Sequence, residues 1–191
     1  MVNRRNIRIA ASVITVIFLI ALVILFAYSD DISYKVYKQK SYDNTVLHIS
    51  DIQEAIAEEN FLEVSRIAYG YDISLSWNED TENFRYAVYA SNSYADLFSY
   101  VMRISASDSF TYSSYTPTSM ADSLRSLFKY SDEGRSRNPE YAHFFDAMEK
   151  SAAYMLRTWF YILDDVDTLK GYSEGQLKVL MEEAYDEAAK R

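Results

Sequence analysis

The chain has 191 residues with 19 Lys and Arg against 28 Asp and Glu, a formal net charge of −9, and no Cys. Absent Cys excludes disulfides and thiolate metal sites, and the acidic balance disfavours nucleic acid, so no nucleic-acid partner is expected. Four Gly and two Pro are too few for the many tight turns of a sandwich or barrel, which points to long helices.

The first element is predicted from hydropathy. From Ile9 to Tyr28 no residue is charged, and only Ser12 and Thr15 interrupt the apolar run. Twenty residues at about 1.5 Å each span roughly 30 Å, the hydrocarbon thickness of a bilayer. A lone span must satisfy its own backbone hydrogen bonds and is therefore helical. Arg4, Arg5 and Arg8 precede it while Asp30 and Asp31 follow it. Positive flanks stay inside, so residues 1–8 are expected to be a short cytoplasmic tail, 9–28 a transmembrane helix, and the remainder extracytoplasmic. The expected location is thus the cell membrane, single-pass. A cleaved secretion signal is the rival, with Ala27-Tyr28-Ser29 as its cleavage region, but a signal core of about 7–15 residues is shorter than this run. "NRRNIR" is a weak match to a twin-arginine signal, and Arg8 interrupts the apolar segment that such a signal needs.

All 28 acids but only 16 of the 19 basic residues follow the span, so that portion carries −12. Residues 29–43 read as a juxtamembrane stalk or an outward extension of the helix. From 44 to 191 the sequence reads as an all-α bundle of about four to five helices. Between Asn44 and Tyr71 Val46, Gln53, Asn60 and Ile67 recur every seven, with Ile49 and Ile56 alternating; Gln53 and Asn60 either fix register inside that seam or, the preferred reading, are half exposed on a slightly rotated helix. From about Asp80 to Ser105, Phe84, Val88, Ser91, Ala95, Phe98 and Met102 keep a four-three step. Tyr86, Tyr89, Leu97 and Tyr100 make the opposite side apolar as well, so this helix is expected to be covered twice.

Residues 106–118 are Ser/Thr/Tyr-rich with Pro117 and read as an irregular loop. Phe110, Tyr112 and Tyr115 within it are candidate partner contacts, since aromatic side chains are favoured at interfaces. A helix from Ser119 to Tyr130 puts Met120, Leu124, Leu127 and Phe128 inward, and the polar stretch 131–139 with Gly134 reads as a second irregular segment. Asn138 and Pro139 then open a long helix. Its seam runs Tyr141, Phe145, Met148, Ala152, Met155, Trp159, Ile162, Val166 and Leu169, with Gly171 as the stop. Ser173 and Gln176 form a capping box for a last helix with Leu177, Leu180, Met181, Ala184, Tyr185 and Ala188 on one face.

Chemistry is sparse in this pattern. Glu140-Tyr-Ala-His143 is a single Glu-x-x-His unit, whereas a di-metal bundle needs two with further Glu; His48 lacks the partner acid. Asp164, Asp165 and Asp167 are a candidate weak cation site, read as sitting at a helix C-terminus against its dipole. Asp165 does not open a calcium loop, because Lys170 stands where the Gly would be. There is no nucleophile elbow and no phosphate loop. No catalytic, cofactor-binding or metal residue is assigned and no cofactor is expected. Most of the 18 Tyr fall inside helical stripes and serve the core margin. The expected function is a non-enzymatic, membrane-anchored bundle in protein–protein interaction or envelope scaffolding, its partner another envelope protein or a second copy. The alternative is extracytoplasmic ligand sensing that signals through a partner; a wall or carbohydrate hydrolase is the weakest of the three.

Overall fold

The computed structural model describes residues 17–18, 23, 33–40, 43–71, 82–105 and 115–188. The chain divides into two compact units, Met1–Lys40 and Ser41–Arg191. In the first, the described residues Ile17, Phe18, Val23 and 33–40 are helical and exposed. The expected span 9–28 lies outside the described residues apart from those three positions. Among the described residues no helix is long and apolar enough to cross a membrane.

The second unit is helical throughout its described elements, and no strand occurs among the described residues. After a helical stretch at 43–47 come α1 (Ile49–Ala57), α2 (Phe61–Gly70), α3 (Glu82–Ser105) and α4 (Tyr115–Arg137). A 3-10 turn at Pro139–Tyr141 leads into α5 (Ala142–Phe160), α6 (Val166–Gly171) and α7 (Glu174–Ala188). Seven α-helices in place of the expected four to five arise because two long predicted helices are each broken once.

The first break separates α1 from α2. Glu59 takes a left-handed backbone, φ 54°, and the side chain of Asn60 accepts a hydrogen bond from the Glu63 N–H at 3.2 Å. Asn60 is therefore an N-cap, not a seam residue, and Gln53 is exposed. Ile52, Ala55 and Ile56 make the buried face of α1 instead. The second break falls at Tyr161, also left-handed at φ 59°, whose N–H donates to the Arg157 carbonyl at 3.1 Å. The seam from Tyr141 to Met155 faces inward, then fails at Trp159, which is exposed; Ile162 and Leu169 are buried again from an irregular connector and from α6.

One predicted interruption is absent. Helix α4 runs through 131–137, and it begins at Tyr115 with Pro117 in its first turn, where the missing N–H costs nothing. Gly134 is buried in the helix interior and its role is contact, not turning: a Cβ there would lie 2.2 Å from Cζ of Phe145. Close approach of α4 to α5 excludes any side chain at this position. Asn138 caps no helix; its side chain donates to the Asn83 carbonyl at 3.1 Å and ties the α4–α5 corner to α3.

Helix α3 is covered by α2, α4 and α5, which bears out its two apolar sides. Phe61 packs edge-on to both Tyr94 (5.2 Å) and Phe144 (5.3 Å), joining α2, α3 and α5. Tyr94 and Ser151 share a 2.8 Å hydrogen bond between their hydroxyls. Helix α7 packs on α4 and α5 through Leu177, Met181, Ala184 and Tyr185, the face read from the sequence. Its capping box forms as expected: Ser173 N–H donates to Gln176 Oε1 at 2.8 Å and Gln176 N–H to Ser173 Oγ at 3.3 Å.

Candidate functional site: an apolar trough along the last helix

Three groups of residues bear on function. The first is an ion cluster joining α4, α5 and α6. Glu149 lies on the wide apolar face of α5, 4% exposed. Its Oε1 accepts from Arg135 at 2.7 Å and pairs with Lys170 Nζ at 2.8 Å. Arg135 also donates to Asp132 (2.5 Å) and Asp146 (2.9 Å), and Lys170 donates to Asp132 at 2.6 Å. Burial alone would lower the Arg135 pKa, but its hydrogen bonds to Glu149 and Asp132 outweigh that and raise it. Asp132 is held below its ordinary value: partial burial opposes this, and hydrogen bonds from Lys170 and Arg135 prevail. Three carboxylates share two cations, and each touches at least one of them, so the cluster is a clamp between helices. The sequence signal was Glu149 itself, a charge inside an otherwise apolar stripe; composition gave no hint of its partners.

The second group is a polar hollow of about 300 Å³ between α1 and α2, lined by Asp51, Glu54, Glu58, Glu63, Arg66 and Tyr71, among others. Arg66 grips Glu63 through two hydrogen bonds (2.6 and 2.5 Å), which holds the carboxyl below its usual range. His48 Nδ1 lies 2.9 Å from Asp51, and its ring stacks on Tyr71 at 3.7 Å. Asn44 fixes the same corner by donating to the Tyr71 carbonyl at 3.0 Å.

The third is apolar. Because α5 ends at Phe160, residues 161–165 form an irregular connector beside α7. Ile162 turns inward, while Tyr161 and Leu163 point out, 62% and 73% exposed. A hollow of about 430 Å³ lies between this connector and α7, lined by the apolar Phe160, Leu163 and Leu180 and by the acidic Asp164, Glu183 and Glu187. A second hollow of about 350 Å³ continues it along α7 past Gly175 and Val179. Leu180 and Glu183 line both, so the two hollows adjoin, and the pair is termed the trough. No periodicity predicts it: Val179 lies off the buried stripe of α7, and the larger hollow is lined by the connector that follows the break in α5.

Of the sequence candidates, Phe110 and Tyr112 lie outside the described residues, and Tyr115 opens α4. The three aspartates do not converge. Asp165 caps α6, accepting from the Thr168 N–H at 2.8 Å, and hydrogen bonds from Thr168 hold its carboxyl low. Asp164 accepts from the Tyr172 hydroxyl at 3.1 Å, and Asp167 lies in the first turn of α6. The break at Tyr161 places these acids at a helix N-terminus, where the dipole favours them, and not at the C-terminus expected from an unbroken helix. Among the described residues no group of three His, Cys, Asp or Glu is arranged to hold a metal ion.

Comparison with protein-family models, with curated proteins and with solved structures finds no match to this chain.

Proposed function

We propose that this chain is a single-pass membrane protein, N-terminus cytoplasmic, whose extracytoplasmic helical bundle binds another protein of the envelope and catalyses nothing. The observation that carries the interaction half is the trough, where large apolar side chains stay in water although the rest of α5 and α7 buries its stripe. Contiguous exposed apolar surface is costly for a monomer and is the usual mark of a partner site. The anchor half rests on the charge-free run from Ile9 to Tyr28 and its Arg-then-Asp flanks. Chemical crosslinking of the full chain in its native membranes, followed by isolation, tests the reading. A discrete heteromeric product that stays with the membrane through alkaline extraction is expected. Recovery of the uncrosslinked chain alone, or its release into the medium, overturns it.

The polar hollow beside Arg66 and Tyr71 is the feature that supports the alternative reading, ligand sensing that signals through a partner. A small cationic molecule seated among Asp51, Glu54 and Glu58 would raise the melting temperature of the full chain. Flat melting curves across a panel of amines remove that alternative.

A further inference from the structure

The trough has a definite length, lining and charge, and together they describe what fits it. From Gly175 to Glu187 it follows α7 for twelve residues, about 18 Å at 1.5 Å per residue, or roughly three turns of a second helix laid alongside. Its apolar lining includes the exposed Leu163 and Val179 and the half-buried Leu180. At one end a Cβ built on Gly175 meets nothing within 4 Å, and no positive φ demands glycine there. Glycine is a poor helix residue, and here neither turning nor packing within the chain calls for it. What it leaves is bare backbone that another helix can approach closely.

The rim is acidic. Asp164, Glu183 and Glu187 border the trough, and the second half of α7 carries Glu182, Glu183, Asp186 and Glu187 with no basic residue in its last turn. Carboxylates near a helix C-terminus oppose the dipole, and cations brought by a partner reverse that penalty. The same carboxylates repel anionic lipid headgroups and phosphate backbones, which removes membranes and nucleic acids as occupants.

We infer that this trough seats a basic amphipathic helix of a partner protein, about three turns long, with apolar side chains on Leu163, Val179 and Leu180 and Lys or Arg over Asp164 and Glu183. The mode is helix-in-groove, read through anchors at i, i+3, i+4 and i+7. The inference rests on the reading of the bundle as a partner-binding domain and gives that partner a chemistry.

The test uses the full chain in phosphatidylcholine nanodiscs and a labelled synthetic 14-residue peptide with Leu at i, i+3, i+4, i+7 and i+11 and Lys elsewhere. Empty nanodiscs correct for adsorption to lipid. Anisotropy should show saturable binding that weakens several-fold between about 50 and 300 mM salt, as expected for exposed charges. A photoreactive residue in the peptide should label residues within 160–164 or 172–187, which line the trough. Scrambling the Leu spacing, replacing Lys by Glu, or introducing E183K should each weaken binding at least tenfold. Gly175→Leu, which projects into open space, should leave the melting temperature unchanged or higher and abolish binding. Equal binding of the scrambled peptide, labelling elsewhere, or full binding by a Gly175→Leu chain that melts normally overturns the inference.

A photocrosslinker at Leu163 of the full chain in native membranes separates this inference from the function proposed above. A partner captured by the chain but never through Leu163 leaves the interaction reading standing and removes the trough as its seat. Peptide binding as expected with only monomer in native membranes does the reverse. Capture of a second copy or of lipid at Leu163 overturns the inference.

Discussion

Helix α5 is finished in opposite ways at its two ends. Near its start, Phe145 presses on the bare backbone of Gly134, and Glu149 gathers Arg135 and Lys170 into a clamp that joins three helices. Near its end, Trp159, Tyr161 and Leu163 stand in water, and the chain turns through a left-handed tyrosine where glycine would be easier. Both ends are rich in large apolar and aromatic residues, so composition does not separate them. Geometry does. At the closed end each large group has a partner shaped to receive it, and at the open end the facing wall of α7 stands back. Burial continues along α5 through Ala152, Met155, Leu156 and Phe160, and the exposed large apolar residues here are confined to Tyr154, Trp159 and the connector beyond the helix.

Substitutions can break or sharpen that contrast. The largest effect is expected at Gly134. A valine there forces Phe145 out of a fully buried site, and overpacking of this kind costs about 3 kcal/mol. Urea unfolding of the full chain in detergent should show it as a lower midpoint. A Phe145→Leu partner change should recover part of the loss, and strict additivity of the pair would refute the contact.

Glu149→Gln comes next. It leaves Arg135 with Asp132 and Asp146 but removes the buried carboxylate that both cations share, at about 2 kcal/mol by the same measurement. The clamp also predicts an acid limb. Asp132 has a folded pKa below its ordinary value of 3.8, so its contribution is complete above that value and fades as the pH falls through the depressed one. Asp132→Asn should therefore flatten the stability profile below about pH 4. An unchanged slope there would show that its pairing does not matter.

At the open end the effects shrink or change sign. Tyr161→Gly relieves a left-handed tyrosine and should stabilise the chain by up to about 1 kcal/mol. Leu163→Ser should leave the unfolding midpoint within about 0.5 kcal/mol of the parent, because its side chain packs on little. A loss of 2 kcal/mol or more at Leu163 would close the trough and erase the contrast.

Much of the second unit was readable from its stripes. The faces of α7 and of α4 from Met120 to Phe128, the capping box at Ser173, and the double covering of α3 follow from periodicity alone. The errors share a cause. Gly134 reads as part of an irregular segment because local preference says so, whereas contact with Phe145 decides its place; Asn138, expected to cap the helix that Pro139 opens, makes no side-chain cap and donates to the Asn83 carbonyl instead. Tyr161 and Glu59 break helices in a conformation that neither residue type advertises. Sequence pattern locates the residues that face inward along one helix, but it does not register where a helix is cut, and the candidate site is lined by the connector that follows such a cut.

Helix α3 lies under three neighbours and carries Ala87, Val88, Ala90, Ser91 and Leu97 at or near zero exposure. Its backbone amides can meet solvent only when those neighbours lift away together, so deuterium should enter its middle turns at the rate set by global opening. The connector at 161–165, by contrast, should label within the dead time of the exchange experiment. A kinetic map of that kind would trace the closed and open ends of the bundle without any substitution.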